Sequence, residues 1–85
     1  VGLARLGSYI GHGSGEVIVG FSTANRIPAE GGCLNFRCIH ESHMDDAFRA
    51  AAEATEEAVL RSMLEAGSVT GYTGKVRRSL RQFWP

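Results

Sequence analysis

The sequence has few of the features that stabilise a small chain or direct it to a membrane. Among its 85 residues are two cysteines, two prolines and one tryptophan, and no apolar run approaches the ~20 residues of a membrane span. Cys33 and Cys38 are too few for the disulfide scaffold of a small secreted domain, so we expect a reducing, cytoplasmic location. Val1 opens the chain without an initiator Met or a basic leader, which indicates a trimmed or processed start.

A charge excess of either sign is also lacking. Lys plus Arg and Asp plus Glu number nine each, so net charge gives no reason to expect a nucleic-acid or membrane partner. The C-terminal stretch does place basic residues beside Phe83 and Trp84, a pattern that can bind nucleic acid. Because nucleic-acid binding needs an electrostatic surplus that the chain lacks, we expect this tail to dock on the body of the protein instead.

Hydrophobic residues make up 44% of the sequence, and their pattern predicts an α+β fold. Val1 to Leu6 is typical of the last turns of a helix, ended at Gly7, and a glycine-dense turn follows at Gly11 to Gly15. The β-branched residues of Glu16 to Thr23 predict a strand, and the alternation in Cys33 to His40 predicts a second one.

Asp45 to Ala66 carries the strongest periodic signal and predicts one long helix. Ser42 or Asp45 could cap its start, and Gly67 lies where a left-handed terminating glycine is common. Apolar or small residues recur every three or four positions and define one face: Phe48, Ala52, Thr55, Val59, Met63 and Ala66. Two strands and one whole helix do not close a core, so residues 1–85 are expected to form a single incomplete domain that needs a partner.

Ser14 and Glu16 are the first candidate site. Residues two apart on a strand point to the same face, so the hydroxyl and the carboxylate are expected to be neighbours, and Gly13 and Gly15 leave room for another backbone. The turn lacks the Lys-Ser/Thr of a phosphate-binding loop and leads into a strand, which excludes a P-loop and a dinucleotide fingerprint. Taken alone, the pair is a weak signal, and an ordinary strand-entry serine beside a surface glutamate is the safer interpretation.

The second candidate is a Cys/His cluster that could hold zinc: Cys33, Cys38, His40 and His43. Its spacing is more compact than that of usual structural zinc sites. On a strand, Cys38 and His40 would share a face and Cys33 would point away, so we expect no metal there. A small structural or interaction module, bound to zinc through this cluster, is the alternative interpretation of the whole chain.

Several short runs together resemble the L-aminopeptidase/D-esterase (DmpA) family, which includes the β-peptidyl aminopeptidases. They are Leu3 to Ser8, Gly11 to Glu16, Gly20 to Asn25, Glu53 to Leu60 and Val69 to Gly71. The resemblance implies the C-terminal part of the β chain of a self-cleaving precursor, folded with its α chain as a four-layer αββα sandwich. It also implies that the heterodimers assemble further.

The resemblance also implies a serine-type N-terminal-nucleophile hydrolase that needs no cofactor and acts on small peptides, amides or esters. Its new N-terminal Ser attacks, and its own α-amino group serves as the base. Ser14 and Glu16 match the Ser and Glu that form a hydrogen-bonded relay beside that nucleophile. No serine of this chain matches the nucleophile itself, which is expected upstream of Val1, and His12 stands where the family commonly has Asn.

Overall fold

The computed structural model describes residues 1–85 and is an α+β arrangement of two helices and one two-stranded sheet. Helix α1 spans Gly2–Arg5 and helix α2 spans Met44–Glu65. Strand β1 is Val69–Thr70 and strand β2 is Val76–Arg77. Short 3₁₀ turns at Glu41–His43 and Leu80–Gln82 lie before α2 and after β2.

Helix α2 confirms the long helix that the periodicity predicts, but it begins and ends differently from the prediction. Neither Ser42 nor Asp45 caps it: His43 is the capping residue and makes no side-chain cap bond, while His40 caps the preceding 3₁₀ turn by accepting from the Ser42 N–H. At the other end Ala66 turns to an extended conformation (φ −67°, ψ 133°), and Gly67 is not among the residues with positive φ. The helix therefore stops without a left-handed glycine.

Helix α1 packs across the middle of α2 through its smallest residue. Gly2 is buried, and a Cβ at this position would lie 2.6 Å from the Ala52 carbonyl oxygen and 2.6 Å from the Thr55 Cβ. An ion pair of 3.2 Å between Arg5 Nε and Glu56 Oε2 flanks the contact. Gly7 follows with φ +97°, the left-handed stop that the sequence predicts.

The two strands predicted at Glu16–Thr23 and Cys33–His40 do not form, and those predictions are wrong for this chain. The single sheet instead pairs Val69 with Arg77 and Thr70 with Val76, antiparallel. The turn between them is closed by glycine: Gly74 takes φ +81° and donates its N–H to the Gly71 carbonyl. A strand requires a neighbour for its backbone groups, and β-branched composition alone does not supply one.

The C-terminal tail docks on the end of α2 through polar groups. Ser79 Oγ donates to the Ala66 carbonyl at 2.6 Å, and Arg81 Nε donates to the Leu64 carbonyl at 3.1 Å. Phe83 and Trp84 remain half to two-thirds exposed. Docking of the tail is therefore achieved by satisfying helix-end carbonyls rather than by burying aromatic rings.

The chain as a whole is open. Its radius of gyration is 19.2 Å, whereas a compact domain of this length has about 12 Å. Its accessible surface is 8056 Å², against about 4,900 Å² for a folded monomer of this mass, and no hydrophobic side chain is buried. No helix has the length and hydrophobicity that crossing a membrane requires.

Candidate functional site

The glycine turn brings Ser14 and Glu16 together as the sequence predicts, although no strand is formed. The Ser14 N–H donates to the Gly11 carbonyl at 3.0 Å, which closes a four-residue turn. Gly13 holds φ +84° at the third position, which a residue with a Cβ adopts only with strain. Ser14 Oγ then donates to Glu16 Oε1 at 3.3 Å.

This hydrogen bond sets the direction of the Ser14 hydroxyl. A hydroxyl has one proton and two lone pairs, so a proton given to Glu16 leaves only lone pairs for a third group. At 3.3 Å between exposed side chains the bond is longer than a typical O–H···O bond of 2.5–3.0 Å, and water competes for both groups. Exclusion of water by a covering element would strengthen it.

The residues before Ser14 line an open depression of about 560 Å³, formed by the segment from Gly7 to Ser14. Ile10 lies in this segment with φ +54°, a left-handed conformation that is an outlier for a β-branched residue. Tyr9 is exposed, and its ring lies against Gly11, where an added Cβ would be 3.0 Å from it. The approach to the Ser–Glu pair is thus made of backbone, one aromatic ring and the exposed His12.

The two cysteines and two histidines of the zinc candidate have different surroundings in the structure. Cys33 and Cys38 are exposed free thiols, and His43 is the first residue before α2. His40 Nδ1 is engaged with Ser42, 3.1 Å from its N–H and 2.8 Å from its Oγ. No three His, Cys, Asp or Glu side chains are grouped so that they could hold a metal ion. The strand on which the sequence argument separated Cys33 from Cys38 is not present.

Asn25 makes a long-range backbone contact that sequence reasoning missed. Its Nδ2 donates to the Arg37 carbonyl and its Oδ1 accepts from the Arg37 N–H, both at 2.9 Å. The side-chain amide thereby pairs with one residue as a neighbouring strand would, and it joins the turn that follows the first predicted strand to the second predicted strand. A lone Asn after Ala24 gave no periodic or spacing signal from which this partner could be found.

Comparison with known proteins now defines the class. The family model for Peptidase family S58 matches residues 1–77, which include the Ser–Glu pair, α2 and the hairpin. The chain therefore belongs to Peptidase family S58, and the resemblance to the L-aminopeptidase/D-esterase and β-peptidyl aminopeptidases is confirmed.

One curated relative is the "Beta-peptidyl aminopeptidase BapA" of Sphingosinicella microcystinivorans, which is 35% identical over 75 residues. The match covers 86% of this chain and 19% of the relative, so the chain spans about a fifth of that protein's length. No solved structure matches the chain.

Proposed function

We propose that these 85 residues are part of the β chain of a self-processed, serine-type N-terminal-nucleophile aminopeptidase. The whole enzyme would release N-terminal residues from small peptides, amides or esters. This chain would supply Ser14 and Glu16, and the nucleophile would lie in the part of the protein outside residues 1–85. Membership of Peptidase family S58, combined with the Ser14–Glu16 hydrogen bond, carries the proposal.

In the proposed reaction, the N-terminal Ser attacks the carbonyl carbon of the substrate while its own α-amino group takes the hydroxyl proton. The C–N bond breaks, the leaving amine receives that proton, and water then hydrolyses the resulting ester. Ser14 would accept a hydrogen bond from the α-amino group of the N-terminal Ser through the lone pairs that its own bond to Glu16 leaves free. Glu16 would hold Ser14 in that orientation and stabilise positive charge on the α-amino group.

The partners in this proposal are the larger α chain and the N-terminal part of the β chain, from the same precursor. Together with these residues they would build a four-layer αββα sandwich, in which the present chain is an incomplete domain. Its open shape and the 19% coverage of the relative support this arrangement. Further assembly of the heterodimers is proposed on the resemblance alone.

Expression of the full-length protein tests the proposal. We expect intact-mass analysis to find two chains from one precursor, with Ser at the new N-terminus of the smaller one, and the purified protein to hydrolyse aminoacyl and β-aminoacyl anilides. An uncleaved precursor without hydrolysis would contradict the proposal. One zinc per chain by elemental analysis, lost in Cys38→Ser, would support the zinc-bound module instead.

A further inference from the structure

The charges of the chain are balanced overall but separated along it. Helix α2 carries six acidic residues and two arginines, whereas residues 66–85 carry four basic residues and no acidic one. One of these cations, Arg81, lies 3.4 Å from Glu65 Oε1. The other three are exposed and form no ion pair: Lys75, Arg77 and Arg78. The hairpin and the tail therefore present a basic surface that the chain itself does not neutralise.

A groove of about 480 Å³ lies in this basic surface, between the end of α2, the hairpin and the tail. Its apolar walls and the two arginines beside them are Met63, Val69, Leu80, Phe83, Arg77 and Arg78. Met63, Val69 and Phe83 are 40%, 61% and 65% exposed, so the walls are open to an occupant. Apolar walls with a small number of charged groups are typical of a binding pocket, and about 300–1,000 Å³ is the usual size.

Hydrogen bonds hold the tail in place as one wall of the groove. Ser79 and Arg81 donate to carbonyls at the end of α2, and Gln82 Nε2 donates to Ser68 Oγ at 2.9 Å. Because those carbonyls already accept hydrogen bonds, the negative end of the helix dipole is partly compensated and opposes an anion less. The groove is thus built by the chain's own contacts.

We propose that this groove binds an acidic peptide segment of another protein, with an apolar side chain between the walls and carboxylates on Arg77 and Arg78. Charge complementarity identifies the occupant, since guanidinium groups bind carboxylates through two parallel hydrogen bonds. Four cations are few for nucleic acid, whose binding depends on neutralising many phosphates. A groove with apolar walls also receives a protruding side chain rather than the flat surface of a bilayer.

This binding is separate from the hydrolytic reaction proposed above. The family model matches residues 1–77, so the wall formed by Leu80 and Phe83 lies beyond the matched region. The Ser14–Glu16 pair takes no part in the groove. Loss of peptide binding and loss of hydrolysis are therefore measured independently on the same protein.

Fluorescence anisotropy with the full-length protein tests the inference. The probe is a hexapeptide of alternating glutamate and leucine, and fluorescein blocks its N-terminus so that an aminopeptidase cannot degrade it. We expect the double variant Arg77→Gln and Arg78→Gln to weaken binding at least about fivefold, because two carboxylate partners are lost. Phe83→Ala removes apolar wall and should weaken binding about tenfold. Arg26→Gln is the matched control, an exposed arginine without an ion pair outside the groove, and should bind as the wild type does.

Two measurements on the wild type need no variant to fold. A probe with serine in place of leucine keeps the charge and should bind at least about tenfold more weakly, because it lacks the apolar side chains. Raising the salt concentration from about 0.05 M to about 0.5 M should weaken binding of the leucine probe several-fold, since salt screens exposed charges. Equal binding of the serine probe would overturn the proposal, because electrostatic attraction alone would then explain it.

The other possible occupants give different results. Binding of phosphatidylserine vesicles or of a single-stranded oligonucleotide, without binding of the leucine probe, would overturn the proposal in favour of that partner. Failure of the full-length protein to bind any of these probes would also overturn it, since the groove would then be covered in the complete protein.

Discussion

At the scale of single residues, the chemistry of the candidate site depends on one proton. Ser14 donates it to Glu16, so the oxygen of Ser14 can only accept from a third group. If Glu16 were absent, the hydroxyl would rotate freely and present either its proton or a lone pair to a neighbouring group. In the proposed relay the carboxylate would therefore fix the direction of the hydrogen bonds as well as the position of Ser14.

In the full-length enzyme we expect Ser14→Ala and Glu16→Ala each to lower kcat by about 100-fold or more, the usual scale for loss of a proton-handling group. Glu16→Gln keeps an acceptor oxygen but loses the charge, so we expect a smaller loss than in Glu16→Ala. Steady-state hydrolysis of an aminoacyl anilide measures these effects, with Thr73→Ala in the exposed hairpin turn as the matched control. Wild-type kcat in both alanine variants would remove the relay assignment.

Asn25 allows a second prediction because its amide both donates and accepts. Asn25→Ala loses two hydrogen bonds to Arg37 and should lower the free energy of unfolding by about 1–3 kcal/mol. Asn25→Asp keeps the acceptor but turns an ionised oxygen towards the Arg37 carbonyl, which favours the protonated acid and raises its folded-state pKa. The penalty should therefore be largest at neutral pH and shrink as the pH falls through that pKa.

Thermal or urea unfolding of the full-length protein between pH 4 and pH 8 measures the Asn25 series. Asn25→Ala carries no titrating group, so the difference between it and the wild type should be constant across this range. A pH-independent penalty in Asn25→Asp would show that the carboxylate does not face the Arg37 carbonyl.

At the scale of secondary-structure elements, the crossing of α1 and α2 depends on the absence of a side chain at Gly2. Gly2→Ala would place a Cβ 2.6 Å from the Ala52 carbonyl oxygen, a backbone atom that cannot move aside, and should lower stability by about 1–3 kcal/mol. Gly67→Ala is the matched control, since nothing lies within 4 Å and φ is not positive there. Gly67→Ala should be neutral or stabilise the protein by up to about 1 kcal/mol, because alanine lowers the conformational entropy of the unfolded chain.

The end of α2 gives the next prediction. Arg81 donates to the Leu64 carbonyl, places a cation at the negative end of the helix dipole and lies 3.4 Å from Glu65 Oε1. Arg81→Ala should lower the unfolding free energy of the full-length protein by about 1–2 kcal/mol, mostly through the uncapped carbonyl, because exposed ion pairs contribute little. Arg78→Ala removes an equal charge that forms no ion pair here and should cost less than 0.5 kcal/mol, roughly the range of neutral surface changes. If Arg81→Ala and Arg78→Ala lowered the unfolding free energy equally, the effect of Arg81 would come from its charge alone, and the hydrogen bond to the Leu64 carbonyl would contribute nothing.

These elements also show how far the sequence determines the fold. The helix over Met44–Glu65 and the stop at Gly7 were predictable because i, i+4 spacing and glycine at positive φ are local properties. The strands at 16–23 and 33–40 were not decided by local properties, since a ladder needs a neighbour that these residues do not supply. The contact between Ser14 and Glu16 was predicted from their spacing on an expected strand, and it forms beside a glycine turn instead. The contact between Asn25 and Arg37 joins positions twelve apart and has no sequence pattern.

At the scale of the whole molecule, the helix face predicted from periodicity remains largely uncovered. Phe48 is 62% exposed and Met63 is 40% exposed, although Gly2 of α1 packs against Ala52 and Thr55 between them. Obligate interfaces bury about 2,000–5,000 Å² over both partners and resemble a domain core cut in half. The accessible surface of this chain exceeds that of a folded monomer of its mass by about 3,000 Å², an area as large as one partner contributes to an obligate interface.

We therefore expect the 85 residues expressed alone to aggregate or fold poorly and to have no peptidase activity. Burial of an apolar side chain such as Phe48 or Met63 stabilises the fold by about 1.5–3 kcal/mol, whereas ordering each residue of the chain costs about 1.5 kcal/mol. While α2 is uncovered, the chain bears the cost of ordering without the stabilisation that burial would give. Circular dichroism melts and size-exclusion chromatography measure the first expectation, and anilide hydrolysis measures the second. Co-expression with the remainder of the precursor should restore a single cooperative transition and, where the N-terminal Ser is present, activity. A soluble monomer of the isolated 85 residues with sharp two-state melting would show that these residues already form a complete domain, because cooperative unfolding requires a core that excludes water.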